Sequence, residues 1–212
     1  MGNILGIIGA GHLGQQIAHY AITDKHFEQV VFFDDFAAEV EIQGCPVLGK
    51  TEDVIASFAA KKITHLMIGI GYKHMNVRAE LFEKFSNAIP FATVIHSSCW
   101  VDPTAKIGRG VVIYPGSTVD ANVTIEDNVL LNVGCTIAHD TKIASHCFLS
   151  PRVALAGFVS VGTQVQLGIN CTVIDNITIL AISQIGAGAV VVSDIIERGV
   201  YVGIPARLRK EK

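Results

Sequence analysis

The sequence predicts a chain in two parts: an α/β unit followed by a parallel β-helix built on six-residue repeats. Three observations carry that prediction. Stepping by six from Val101 to Ile185 meets fifteen positions, and every one is Val, Ile or Leu. Four residues after each of these runs a second row, from Ala105 to Ala189, made only of small or β-branched residues. Ahead of both rows, Asn3 to Gly9 reads as a buried strand that runs into a GxGxxG turn at Gly9, Gly11 and Gly14.

A period of six with two apolar rows is neither helical nor simple strand alternation. It fits a short strand, a corner and another short strand, with large apolar groups in the middle of a prism and small ones where the wall bends. The third residue after each starting position falls at the corner. Nine of these fifteen are Gly, Asn or Asp, the types that tolerate a left-handed backbone. Three six-residue units close one triangular coil, so eighteen residues make a turn and the stretch holds about five coils. Corners lose their Gly/Asn/Asp bias at His146, Arg152, Phe158 and Gln164. That run reads either as kept for function or as a looser corner geometry.

The N-terminal elements follow in order. Gln15 to Ala21 continues the glycine turn as a helix, and Gln29 to Phe33 is a second strand ending in Asp34 and Asp35, about twenty residues past the glycines. Bare N–H groups at such a helix start attract phosphate, and an acid at this distance suits a ribose. The alternative is a glycine turn used only for helix–strand packing. Thr51 to Ala60 reads as a short helix capped by Thr51, His65 to Ile70 as a third strand, Asn76 to Ala88 as an amphipathic helix and Pro90 to Ile95 as a last strand. Four strands make only half of a full Rossmann domain. Half a unit suits a nucleotide attached to something else, such as a nucleotide sugar, better than it suits nicotinamide chemistry. The boundary is placed between residues 1–98 and 99–212, with a tail from Ser193 to a basic finish at Lys212.

Composition narrows the classes. Half the residues are apolar, the net charge is -3 and the pI is near 6.2, so nothing in the charge balance points to nucleic acid or an anionic membrane. Five cysteines form no CxxC pair, and Cys135, Cys147 and Cys171 fall in the inward row, which suits a reduced, cytoplasmic setting. Met1 to Ala10 is apolar but too short for a span and lacks a basic flank.

The chemistry-bearing residues of the repeat are His139 and Asp140, side by side at one corner where the core requires neither. A neutral imidazole is a good general base near pH 7, and an adjacent carboxylate fixes its tautomer and raises its basicity. The plain alternative is an exposed His beside a turn-forming Asp. Eighteen residues on lies Gly157, which is expected to leave the space over His139 open. A column of Asn132, Ser150, Gly168 and Gly186 thins to glycine at a different corner, as a groove for a long thin ligand would. His139 of one chain and the glycine groove of a neighbour would then form one site, which requires an oligomer.

These motifs carry a resemblance. The GAG turn at Gly9 to Gly11, FFDDF at Phe32 to Phe36, PVLG at Pro46 to Gly49, IGIG at Ile68 to Gly71, FATVIHSS at Phe91 to Ser98, NVGCTIAHD at Asn132 to Asp140 and VGIPAR at Val202 to Arg207 run along nearly the whole chain. Together they resemble the sialic-acid O-acetyltransferase (NeuD) family and, within it, nucleotide-sugar N-acetyltransferases of the PglD kind. The resemblance implies a left-handed β-helix and a cytoplasmic homotrimer with sites between subunits. It also implies transfer of acetyl from acetyl-CoA to a sugar amino group in surface-glycan synthesis, with no metal. His139 would be the general base with Asp140 beside it. Gly11, His12, Leu13, Asp34, Asp35 and Gly71 match segments that hold the nucleotide sugar, and Phe148, Ile169 and Ala187 match positions that touch acetyl-CoA, where Gly157 and Gly186 are also placed. Phe148 stands where relatives often carry His, Tyr72 where Asn or Asp is common, and His12 is shifted by one place in its turn.

Three rivals remain on the sequence alone. One is acetyl transfer to a sugar hydroxyl, as in sialic-acid O-acetylation. Another is a zinc enzyme on the same prism, which needs three converging His ligands where His139 and His146 occupy different corners. The last is a non-catalytic oligomerisation scaffold.

Overall fold

The computed structural model describes residues 2–209, so the basic finish at Lys210 to Lys212 lies outside the described residues. The chain divides into two compact units, residues 1–94 and 95–212.

In the first unit, β1 (Ile4–Ile8) lies between β2 (Gln29–Phe33) and β5 (His65–Ile68), all parallel. Beyond β2 come β4 (Cys45–Gly49), parallel to it, and β3 (Glu41–Ile42), which pairs antiparallel with β4, for a sheet order β3-β4-β2-β1-β5. The central strands are buried along most of their length, as a sheet covered on both faces requires. Helices α1 (His12–Thr23), α2 (Val54–Ala59) and α3 (Met75–Phe85) complete the unit, and Phe82, Phe85 and Phe91 join Phe33, Ile63 and Leu66 in its core.

Three sequence expectations change here. The hairpin β3–β4 was not foreseen; its turn runs through Gln43 and Gly44, both at positive φ. Pro90 to Ile95 is not a full strand, because pairing to Leu66 stops after a single bridge at Phe91. Thr51 does not cap its helix: Asp53 Oδ2 accepts the Lys50 N–H at 2.8 Å, while the Thr51 N–H and hydroxyl donate to the two Asp35 oxygens at 2.8 and 3.0 Å.

The second unit is a three-walled parallel β-helix. Its strands are two residues long, and each pairs with the strand eighteen residues away, as Thr118–Val119 does with Trp100–Val101 below and Thr136–Ile137 above. The first wall runs from Trp100–Val101 to Val190–Val191, the second from Lys106–Ile107 to Thr178–Ile179, and the third contains Val112–Ile113, Leu130–Leu131, Phe148–Leu149, Gln166–Leu167 and Gln184–Ile185. Both apolar rows fill the interior, from Val111 to Val191.

The corners explain why the coil stays regular. Fourteen of the fifteen corner positions, Gly110 to Gly188, have positive φ, including His146 (65°), Arg152 (60°), Phe158 (60°), Gln164 (57°) and Ile182 (62°). The run without turn residues is therefore not a looser geometry. From Asn128 to Gly188 each corner N–H bonds to a carbonyl of the preceding coil, as Asp140 N–H does to Ala121 O at 2.9 Å, Phe158 N–H to His139 O at 3.1 Å and Ile182 N–H to Thr163 O at 2.9 Å. That ladder holds side chains in a conformation that opposes them by about 1–2 kcal/mol each.

Candidate functional site

His139 and Asp140 occupy the corner between the strands Thr136–Ile137 and Lys142–Ile143. His139 Nδ1 lies 3.0 Å from Asp140 Oδ2, and Asn122, one coil below, donates its amide to Asp140 Oδ1 at 3.3 Å. The chain thus runs Asn122, Asp140, His139, with both ends at the surface; the His139 and Asp140 side chains are 50% and 36% exposed. With Nδ1 engaged by the carboxylate, that nitrogen carries the proton and Nε2 presents its lone pair. Among the described residues, nothing hydrogen-bonds to Nε2.

Gly157 does not leave the space over His139 open, because the imidazole itself fills it. A Cβ at Gly157 would lie 2.8 Å from His139 Cε1 and 2.9 Å from Nε2. Phe158, the next residue, sets its ring nearly perpendicular to the imidazole, with centroids 5.3 Å apart and planes at 87°. Neither Phe158 nor Asn122 was singled out for this site from the sequence, although both sit eighteen residues from Asp140 in the corner column.

The other positions named for acetyl-CoA lie elsewhere on the prism. Phe148 is 4% exposed on the third wall, away from the His139 corner, so its ring is a packed group with no face open to a ligand in this chain. Ile169 and Ala187 share the corner after the third wall, where Ile169 is exposed. The glycine column beside them is not a groove made by missing side chains. A Cβ at Gly168 would meet Ala187 N at 2.6 Å, and one at Gly186 would meet Val202 Cγ1 at 2.8 Å, so the next coil takes up the space. His146 is buried at a third corner, with Nδ1 3.0 Å from Asn128 Nδ2. Among the described residues, no group of three or more His, Cys, Asp or Glu is placed to hold a metal ion.

In the first unit, the glycines divide by role. Gly9 has φ of 101°, and a Cβ on Gly14 would stand 1.9 Å from Gly9 O, so helix and strand touch backbone to backbone. Gly69, after β5, closes on the same spot: a Cβ there would lie 2.8 Å from Gly14 Cα. Gly11 and Gly71 have nothing within 4 Å of a Cβ, so both leave the chain bare toward open space. His12 begins α1, exposed, and Leu13 is half-buried.

Asp34 is a staple: Oδ2 accepts the Ala10 N–H at 2.7 Å, and Oδ1 accepts the Phe36 and Ala37 N–H groups at 2.8 and 3.1 Å. Asp35 is likewise spent on Thr51. Gly11 and Asp34 line one cavity of about 490 Å³ together with Gln15, Phe36, Glu39 and Glu41. Gln15 ties its edges, donating to Ala10 O at 2.8 Å and accepting from Gln43 Nε2 at 2.9 Å. Buried Arg78 on α3 donates Nη1 to Ile70 O at 2.6 Å and fixes the Gly69–Gly71 turn.

Comparison with known proteins agrees with this architecture. Residues 4–85 match the PglD N-terminal domain family. The acetyltransferase domain of PglB from Neisseria gonorrhoeae superposes with a TM-score of 0.92 at 27% identity, covering 98% of this chain and 100% of that one. PerB from Caulobacter crescentus, solved in complex with CoA and GDP-perosamine, gives 0.90 at 29% identity over 99% of this chain and 98% of its own. Galactoside O-acetyltransferase of Escherichia coli is 27% identical over 176 residues, 72% of this chain and 86% of the relative. A probable mitochondrial UDP-3-O-acylglucosamine N-acyltransferase of Arabidopsis thaliana is 31% identical over 105 residues, and this chain spans only 34% of its length. Residues 4–85 thus carry a PglD-type N-terminal domain, and the chain as a whole shares its fold, a short, mostly parallel sheet followed by a β-helix of six-residue repeats, with the PglB acetyltransferase domain and PerB.

Proposed function

We propose that the protein moves acetyl from acetyl-CoA to the amino group of a nucleotide-linked amino sugar, with His139 as general base. The observation that carries this reading is the Asn122–Asp140–His139 chain, which leaves one imidazole nitrogen free at the surface of an acyltransferase column. PerB, alike over nearly the full length of both chains, holds CoA and GDP-perosamine, a nucleotide-linked amino sugar, which supports an amine as acceptor.

The amine attacks the thioester carbonyl, and His139 Nε2 takes the proton the nitrogen sheds. The tetrahedral intermediate then collapses with loss of CoA thiolate, which the imidazolium protonates. The thioester is already activated, so no covalent enzyme intermediate is needed. Asp140 holds the tautomer and stabilises the imidazolium as it forms. In the first unit, Gly11 and His12 at the start of α1 suit the diphosphate, and the Asp34 cavity and Gly71 turn suit the rest of the nucleotide sugar. Asp35, with both oxygens on Thr51, acts there by shaping the loop.

His139 and the corner of Ile169 and Ala187 lie at different edges of one prism. A homotrimer that sets the His139 edge of one subunit against the Ile169 edge of the next would complete each site. Five free cysteines, four of them buried, suit the reducing cytoplasm.

His139→Ala tests the reading: turnover should fall on the order of 10²- to 10⁴-fold with the fold intact. A loss under tenfold removes His139 from the role. A thermal-shift screen of UDP-, dTDP-, GDP- and CMP-sugars, with and without CoA, identifies the nucleotide, and no stabilisation by CoA would favour a scaffold. The likeness to a galactoside O-acetyltransferase supports a hydroxyl acceptor as second reading. Assaying a 4-amino nucleotide sugar against free sialic acid separates the two.

A further inference from the structure

We infer that Phe158 is a positioning residue for His139, kept in a strained backbone conformation for the sake of its ring. The inference rests on the reading of His139 as base and extends it to a residue that no part of that reading requires.

Phe158 sits at a corner with φ of 60°. The residues stacked on it in the same column are Asp140 below and Asn176 above, with Asn122 below Asp140, and all three are types that accept this conformation readily. A bulky aromatic at this position is an outlier that calls for a reason. Core packing is not the reason, because the side chain is 54% exposed. The contact it makes is with the imidazole, edge to face at 5.3 Å.

His139 is otherwise fixed at two points. Asp140 holds Nδ1, and the Gly157 backbone forms a floor with no Cβ. A ring pinned through one nitrogen and resting on a flat floor can still rock about its side-chain torsions. Phe158 stands against it and removes that freedom, so Nε2 keeps one direction, and it does so without a hydrogen bond that would compete with Asp140. The geometry a general base needs is thus completed by an apolar neighbour, and local stability is given up for it.

Strain and function predict effects of opposite sign. Phe158→Asn, which repeats the residue type of the corners at Asn122 and Asn176, should raise Tm by about 2–4 °C. The same variant should lower kcat tenfold or more, with KM for acetyl-CoA within twofold of the parent. Phe158→Tyr keeps the ring and should retain kcat. Ile182→Asn relieves a comparable corner (φ 62°) at a different edge of the prism and should raise Tm with kcat intact. Parental kcat in Phe158→Asn overturns the inference, as does a fall in kcat that follows a fall in Tm. His139→Ala measured alongside separates the two claims. Full turnover there sinks the base assignment, whereas an inactive His139→Ala beside a fully active Phe158→Asn removes only Phe158.

Discussion

The His139 imidazole lies in the space that a side chain on Gly157 would take: a Cβ there would come within 2.8 Å of Cε1, 2.9 Å of Nε2 and 3.3 Å of Nδ1. Gly157→Ala therefore forces the ring to swing aside, and the half-exposed imidazole can do so at little expense in stability. Since a displacement of about 1 Å can reduce turnover 10²-fold, kcat should fall by about 10- to 100-fold while Tm stays near its parental value. Steady-state kinetics beside a melting curve checks this, and an unchanged kcat would show that the ring position is not used.

Asp140→Asn isolates the charge from the turn. Asp140 has φ of 57°, and Asn122, Asn128, Asn170 and Asn176 already hold equivalent corners at 56–60°, so the backbone accepts the change. Stability should move by no more than about 0.5 kcal/mol. The amide can still accept from Nδ1, but it no longer stabilises the imidazolium, and kcat should fall on the order of 10²-fold. Equal kcat in the two proteins would leave Asp140 as a turn former only.

How much of this was legible follows from what each pattern measures. The six-residue beat reports burial, and it correctly placed the walls, the corners and Gly157 one coil above His139. Phe158 and Asn122 escaped because they lie far from His139 in sequence. Counting eighteen residues either way from Asp140 would have found both. The burial of Phe148 also had a signal: Val112, Leu130 and Phe148 stand at outward positions yet are apolar, where Gln166 and Gln184 follow on the same wall. Of the strand read at Pro90 to Ile95 only Val94–Ile95 forms one, with a single bridge at Phe91, because an apolar run does not show where its pairing stops. The acidic pair was found by its distance from the glycines, but sequence spacing cannot show that three backbone N–H groups already claim Asp34.

Gly14 and Gly11 share a motif and should respond oppositely to alanine. At Gly14 a methyl would strike the Gly9 carbonyl, a backbone atom that cannot step aside, so Gly14→Ala should destabilise by about 1–3 kcal/mol. At Gly11 there is nothing within 4 Å and φ is -69°, so Gly11→Ala should melt as the parent does. What Gly11→Ala should lose is affinity for the nucleotide sugar, read as a weaker thermal shift with that ligand and an unaltered shift with acetyl-CoA. Equal affinity would separate Gly11 from the ligand and leave the turn a packing device.

Burial pushes the Cys135 and Cys171 thiols up to about 12 from 9.0, because the thiolate would lose its hydration in the column core. Only the thiolate attacks an alkylating agent, and at pH 8 a thiol near 12 is ionised to about one part in 10⁴. Iodoacetamide should leave both residues unmodified in the native protein and label them once denaturant opens the column, as peptide mapping would show. The same shift links stability to pH. The folded form holds these protons more tightly than the unfolded chain, so their contribution is complete below about pH 9. It is then lost as pH climbs from about 9 toward about 12, at roughly 1.4 kcal/mol per unit for each thiol. Other groups titrate in that range, so the measurement is a difference. Cys135→Ala and Cys171→Ala should each be less stable than the parent at pH 7 through the cavity they open, and the gap should narrow as pH rises past 9. A gap that stays constant would place both thiols outside the alkaline transition.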